Sequence, residues 1–323
     1  MTRLAERAVT GVVKPRAVER RLMITVLSGG PSAEREVSLN SGRAVAAGLE
    51  SRGHKVQLAD IGPDCLKALD IPADLVFIAL HGTFGEDGQL QRILDKRGIT
   101  YCGSPAAASA LAMDKVAAKC RFIEAEIPTP RFDLVTPKRV DAVLQSWAVP
   151  VVIKPVAQGS SVDCQIVRDP KALRRALRAV TRRYGRCLIE QYVDGLEVTV
   201  GILGECALPP IQIRTRREFY DYQAKYIDDD TQYLFDIDLP APVLEEVKTL
   251  SERAHRALGC RDFSRVDWMV DARTHQPYAL EVNTIPGFTD HSLLPKAARR
   301  AGLSFAQLCQ RIVELAWQRS ALE

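Results

Sequence analysis

The sequence predicts an α/β fold that opens on a parallel sheet, and three observations carry that prediction. Short apolar runs alternate with segments whose apolar residues recur at helical spacing, the rhythm of βαβ units. The first run, residues 22–27, ends at Gly29-Gly30, as a buried strand feeding a tight loop would. The composition, 46% hydrophobic and 26% charged over 323 residues, is that of an ordinary globular protein with room for more than one domain.

The elements follow in order. Ser38 is placed to cap a helix carrying Leu39, Ala46 and Leu49 and ending near Gly53. Residues 56–58 and 75–80 read as further strands, which puts the loops 29–36 and 81–88 at the carboxyl ends of a parallel sheet, where such folds bind ligands. A helix from Asp114 carries Val116, Cys120, Ile123 and Ile127 on one stripe, and Pro128 and Pro130 end it. Residues 147–154 read as a strand, 171–184 as a basic amphipathic helix, and 188–192 and 198–203 as strands. Residues 214–238 are polar and aromatic without a clean period, the mark of a functional loop or lid. Helical spacing returns at Leu244, Val247, Leu250, Ala254 and Leu258, and again from Ser304 through Leu315.

Charge and cysteine usage narrow the function classes. The formal net charge is +4. Residues 1–21 hold Arg3, Arg7, Lys14, Arg16, Arg20 and Arg21 against Glu6 and Glu19, so the basic excess sits in a short tail and the remainder is neutral. A nucleic-acid-binding body would carry that excess itself, so no nucleic-acid partner is expected. The longest stretch without a charged residue, which includes 99–113, is too short and too broken by Gly103 and Pro105 to cross a membrane. The eight cysteines form no C-x-x-C pair, and most sit among apolar residues, which points to buried free thiols and a cytoplasmic location.

The strongest chemical signal lies near the carboxyl end. In RVDWMV, 265–270, Arg265 and Asp267 share one strand face; in YALEVN, 278–283, Glu281 and Asn283 do. A turn near Thr274 would pair Asp267 with Glu281, with Leu280, Val282 and Trp268 pointing the other way. Two carboxylates and an amide oxygen suit Mg²⁺. Taken alone, the alternation also fits a half-exposed hairpin with charges on its wet face. Lys154 ends an apolar strand and enters the small-residue loop PVAQGSS, which could hold phosphate or equally be a solvated turn. Lys115 and the loop HGTFGEDG are as ambiguous alone. Neither G-x-x-x-x-G-K-[ST] nor G-x-G-x-x-G is present.

Together these segments resemble the D-alanine–D-alanine ligases of the ATP-grasp superfamily. The resemblance spans residues 22–318 and rests on GGPSAEREVSL at 29–39, HGTFGEDG at 81–88, MDK at 113–115, KPVAQGSSV at 154–162, FYDYQAKY at 219–226, RVDWMVD at 265–271 and EVNTIPGFTDHSLLP at 281–295. It implies a three-domain ATP-grasp fold: a tail 1–21, an N-terminal α/β substrate-binding domain 22–104, a central domain 105–190, and a C-terminal domain 191–323 holding the metal site and the lid 214–238. ATP would lie between the last two domains.

The resemblance also implies roles. Glu34 holds the ammonium of the first D-alanine and anchors a hydrogen-bond set with Ser160 and Tyr226, and His81 lies near that substrate. Lys115 and Lys154 hold ATP phosphates and Lys225 the γ-phosphate. Glu190 and Glu197 read the adenosine, with the backbone around Gln191 and Tyr192 on adenine. Asp267, Glu281 and Asn283 bind two Mg²⁺ ions, with Mn²⁺ able to substitute. Arg265 and the Gly287 amide stabilise the oxyanion, and Ser292 and Leu293 take the second carboxylate. A homodimer is expected.

Three positions depart from the family pattern: Asp163 after GSSV, Gln223 in the lid, and the segment 234–242. Asp163 either caps a local group or repels phosphate, with a modest loss of nucleotide affinity expected. Two other functions stay open: a ligase taking D-lactate or D-serine second, and a non-catalytic ATP-binding paralogue. Tyr226 argues against a D-lactate ligase; Arg265, Asp267, Glu281 and Asn283 argue against a mere binder.

Overall fold

The computed structural model describes residues 20–215 and 230–321. Its first part runs Met23–Gly29 (β1), Arg35–Ser51 (α1), Lys55–Ile61 (β2), Leu75–Ile78 (β3), Gln89–Lys96 (α2) and Tyr101–Cys102 (β4). The strands form a wholly parallel sheet in the order β2-β1-β3-β4. All of β3 and all of β1 beyond Met23 are buried, as central parallel strands covered on both faces must be.

Ala106–Met113 (α3) and Lys115–Glu124 (α4) lead into Phe132–Val135 (β5), Val140–Ser146 (α5), Val151–Pro155 (β6), Gln165–Val167 (β7), Pro170–Tyr184 (α6) and Cys187–Gln191 (β8). These strands make an antiparallel sheet, β5-β8-β6-β7. Gly195–Leu203 (β9), Cys206–Ala207 (β10), Ile211–Arg214 (β11), Gln232–Leu234 (β12), Ala241–Ala257 (α7), Phe263–Asp271 (β13) and Pro277–Asn283 (β14) follow. They form the sheet β12-β11-β9-β13-β14, with β10 on β9. Leu293–Arg300 (α8) and Phe305–Ser320 (α9) close the chain; Ser304 and Gln307 cap α9 reciprocally.

The units share cores. Helix α9 crosses back to α1, where a Cβ at Gly48 would stand 3.2 Å from Phe305. Phe288 makes edge-to-face contacts with Phe77 on β3 (5.4 Å) and Phe263 on β13 (5.3 Å), fixing the loop after β14 between two sheets. Ala112, Ala118 and Phe122 of α3 and α4 join the core of the third sheet.

Several expectations change. Ser38 is not a cap: Glu34 precedes α1, and buried Ser38 accepts from the Gly29 amide (2.8 Å) and donates to the Ala79 carbonyl (2.8 Å), stitching β1 to the end of β3. The inward face of α4 is Lys115, Ala118, Lys119 and Phe122, while Cys120 is exposed and Ile123 is 58% exposed. A hydrophobicity pattern sends Lys119 to water; it is buried because a carboxylate neutralises it inside. Neither α2 nor α3 is among the expected elements: α2 does place Leu90 and Leu94 one turn apart on its buried face, whereas α3 is nearly all small apolar residues with no polar face. The strand expected from residue 147 starts at Val151, after Pro150, which has no N–H for a ladder. Part of the expected lid, β12, extends the third sheet against β11.

Candidate active site

Two adjoining cavities lie where the sheets meet. The larger, about 650 Å³, is lined by Glu34, His81, Ser160, Arg265, Asn283, Gly287, Ser292 and Leu293. The smaller, about 320 Å³, is lined by Lys154, Glu190, Gln191, Tyr192, Glu197 and Asp267. Lys115 and Glu281 border both. Every site residue expected from the sequence and lying within the described residues is thus brought to one of the two spaces. Lys225, Tyr226 and Gln223 lie outside the described residues.

In the larger cavity, Glu34 sits at the start of α1, and its carboxylate accepts from the Ser160 hydroxyl rather than capping the helix. Ser160 and Ser161 hold φ of 50° and 55°, a left-handed stretch that presents the loop after β6 to Glu34. His81 is buried; its Nε2 lies 3.0 Å from Ser41 Oγ and its Nδ1 3.1 Å from the Ile285 carbonyl. Glu86 reaches the same ring at 3.4 Å, and burial, with Glu34 nearby, holds its carboxyl above the ordinary range. At the far end, a Cβ on Gly287 would stand 2.8 Å from Ser292 Oγ, so only glycine leaves that hydroxyl its place. Ser292 Oγ accepts from the Thr289 amide at 3.0 Å.

Lys154 and Lys119 share Glu190. Each ammonium lies 2.5 Å from one of its oxygens, and Glu190 is 2% exposed. The two lysines hold the Glu190 carboxyl below its ordinary range against the upward pull of burial. Lys115 donates to the Gln158 carbonyl (2.8 Å) and lies 3.2 Å from Glu281 Oε2.

Strands β13 and β14 pair Asp267 with Glu281 and Arg265 with Asn283. Arg265 grips both oxygens of Asp267 (2.8 and 2.7 Å), and Thr199 donates to the same carboxylate at 2.6 Å. A bulge follows: Trp268 pairs with Ala279, leaving Leu280 as the extra residue. Leu280 therefore lines the smaller cavity instead of pointing away with Trp268 and Val282. Asp267 and Glu281 are cross-strand partners and Asn283 follows two residues on along β14; two carboxylates and one amide oxygen are a hard-oxygen set of the kind that suits Mg²⁺ when phosphate supplies further ligands. Among the described residues, no three acidic, histidine or cysteine side chains gather as a closed metal cage.

Asp163 departs from the expected loss of nucleotide affinity. It adopts φ 54°, as a glycine there would, and its carboxylate turns to Arg183 (2.7 Å) and the Tyr184 hydroxyl (2.6 Å), away from both cavities. The sequence reading passed over Lys119, Glu86 and Thr199. Lys119 had a usable signal, since it stands four residues after Lys115 and so shares its helix face.

Comparison with known proteins identifies the family. Residues 124–314 match the family model described as D-ala D-ala ligase C-terminus, and residues 62–104 that described as D-ala D-ala ligase N-terminus. A D-alanine–D-alanine ligase of Citrifermentans bemidjiense is 46% identical over 298 residues, covering 92% of this chain and 97% of that one. Among solved structures, the D-alanine–D-alanine ligase of Bacillus anthracis complexed with ATP superposes with a TM-score of 0.78 at 33% identity, covering 93% and 99% of the two chains. The D-Ala:D-Ser ligase VanG of Enterococcus faecalis superposes at 0.81 with 28% identity, covering 92% and 100%. With its fold and the residues around its two cavities, the chain belongs to the D-alanine–D-alanine ligase family.

Proposed function

We propose that this protein uses ATP to join two D-alanines into D-alanyl-D-alanine for peptidoglycan precursors. The observation that carries the reading is the wall shared by the two cavities, where Lys115 and Glu281 stand 3.2 Å apart. A phosphoryl group held in the smaller space meets a carboxylate held in the larger one at that wall.

The first carboxylate attacks the γ-phosphorus of ATP, and the bond to ADP breaks, giving an acyl phosphate. The second amine, having lost a proton, attacks the acyl carbon, and the tetrahedral intermediate expels phosphate to leave the amide. Glu34, steadied by Ser160, pairs with the first ammonium, with His81 beside it. Lys115 and Lys154 neutralise phosphate oxygens, and phosphoryl transfer needs little more than such positioning and charge balance. Glu190, Glu197, Gln191 and Tyr192 border the nucleotide. Arg265 and the Gly287 amide meet the oxyanion, and Ser292 and Leu293 receive the second carboxylate. By the same resemblance, Lys225 would bind the γ-phosphate and Tyr226 would join the hydrogen-bond set of Glu34 and Ser160.

Asp267, Glu281 and Asn283 would hold two Mg²⁺ ions, or Mn²⁺ in their place, and the ions would neutralise charge on the polyphosphate. The three units 22–104, 105–190 and 191–323 are the proposed domains. No helix among the described residues is long and apolar enough to cross a membrane. Eight cysteines with no C-x-x-C spacing support a cytoplasmic location. A homodimer is proposed, supported by edge strand β2, where Leu58 is 43% exposed.

Phosphate release with ATP, Mg²⁺ and a panel of D- and L-amino acids tests this reading. Release should require D-alanine, and mass spectrometry should find the dipeptide. An ester from D-lactate, or a D-alanyl-D-serine product, in equal abundance would overturn the substrate assignment.

A further inference from the structure

Lys119 has no solvent exposure and borders neither cavity, yet its ammonium is fully engaged. Besides Glu190 Oε1 at 2.5 Å, it reaches Thr129 Oγ1 at 2.6 Å and the Ala279 carbonyl at 3.4 Å. Thr129 in turn donates to that carbonyl at 2.7 Å, and the Ala279 amide donates to the Pro128 carbonyl at 2.8 Å. Lys119 thus ties α4 to β8 through Glu190 and to β14 through Ala279, two residues before Glu281.

The charge count is as telling as the geometry. A buried glutamate paired with one lysine is a neutral unit. Here one carboxylate serves two ammonium groups, and the cluster keeps one positive charge. Of the two lysines, Lys154 faces the smaller cavity and Lys119 lies behind it. Burial drags the Lys119 ammonium down to about 8, so the fold carries this charge at a cost that packing alone does not repay.

We propose that Lys119 is a positioning residue for the nucleotide polyphosphate: by sharing Glu190 it leaves Lys154 with net positive charge toward the smaller cavity, and by holding Ala279 it keeps Lys154 and Glu281 in fixed relation. This deepens the reading of that cavity as the ATP site and rests on it.

The test measures Mg²⁺-ATP affinity by calorimetry without D-alanine, alongside steady-state kinetics. The proteins are wild type, Lys119→Met and Lys119→Gln, each titrated with Mg²⁺-ATP and with adenosine. Lys119→Met should raise the ATP Kd and KM about tenfold or more, with the KM values for D-alanine little changed. Adenosine, which has no phosphate for Lys154 to meet, should bind all three proteins alike. Lys119→Gln, which keeps a donor for Thr129 without the charge, should behave like Lys119→Met; it takes that variant's place if Lys119→Met does not fold. ATP affinity at the wild-type level in both variants would overturn the proposal. So would an equal loss of affinity for adenosine in Lys119→Met. Wild-type protein that failed to bind ATP would instead remove the reading of the cavity and the proposal with it.

Discussion

Glu281 stands directly opposite Asp267 in the antiparallel register of β13 and β14, immediately before the bulge that turns Leu280 into the smaller cavity. Direct cross-strand pairing puts the two carboxylates on one face, and the bulge puts Ala279 instead of Leu280 beside Trp268 in the core. Asp267→Asn or Glu281→Gln should therefore cut phosphate release by about 100-fold or more, since each removes a carboxylate that would hold the Mg²⁺ whose charge offsets the polyphosphate. Circular dichroism should show the fold intact. Near wild-type turnover of both variants at saturating Mg²⁺ would dismiss the metal assignment.

Gly287 has no room for a side chain beside Ser292. Gly287→Ala should displace the Ser292 hydroxyl and lower kcat/KM for the second D-alanine roughly tenfold to hundredfold, with the ATP Kd unchanged. An unchanged KM for that substrate would show that Ser292 does not receive its carboxylate.

Asp163 is held by Arg183 and Tyr184 outside the cavities. Asp163→Gly should leave the KM for ATP unchanged at low and high salt. Stability should change by no more than about 1 kcal/mol, because relief of the left-handed backbone offsets the lost hydrogen bonds. A KM that fell in the variant, most at low salt, would restore phosphate repulsion.

His255 is buried against Ser264 (2.7 Å), and burial pushes its pKa down from 6.5 to about 4. Between those values the unfolded chain binds a proton that the native state refuses. The stabilising difference is full above pH 6.5 and falls away by about 3 kcal/mol as pH drops toward 4. Urea unfolding should show that slope, and His255→Gln should flatten it. Equal slopes would place the acid sensitivity elsewhere.

Local order was legible wherever periodicity and special residues agree. The parallel opening strands, the helix from Asp114, the capped helix after Ser304 and the pairing of Asp267 with Glu281 all follow from spacing and turn chemistry. Helix α3 escaped because a segment without a polar face has no period to read, and Leu280 because a bulge breaks strand alternation without altering composition.

The sequence by itself determined the family and the residue types of the site, because motif order and short-range spacing are written along the chain. It could not say that Lys119 is buried or that Glu190 serves two lysines. Nor could it say that Asp163 turns to Arg183 instead of a phosphate. Only the tertiary structure decided those points. A charged side chain enters a protein interior only when an opposite charge from another element meets it there. That partner is supplied by packing between α4, β6 and β8, not by any neighbour in sequence.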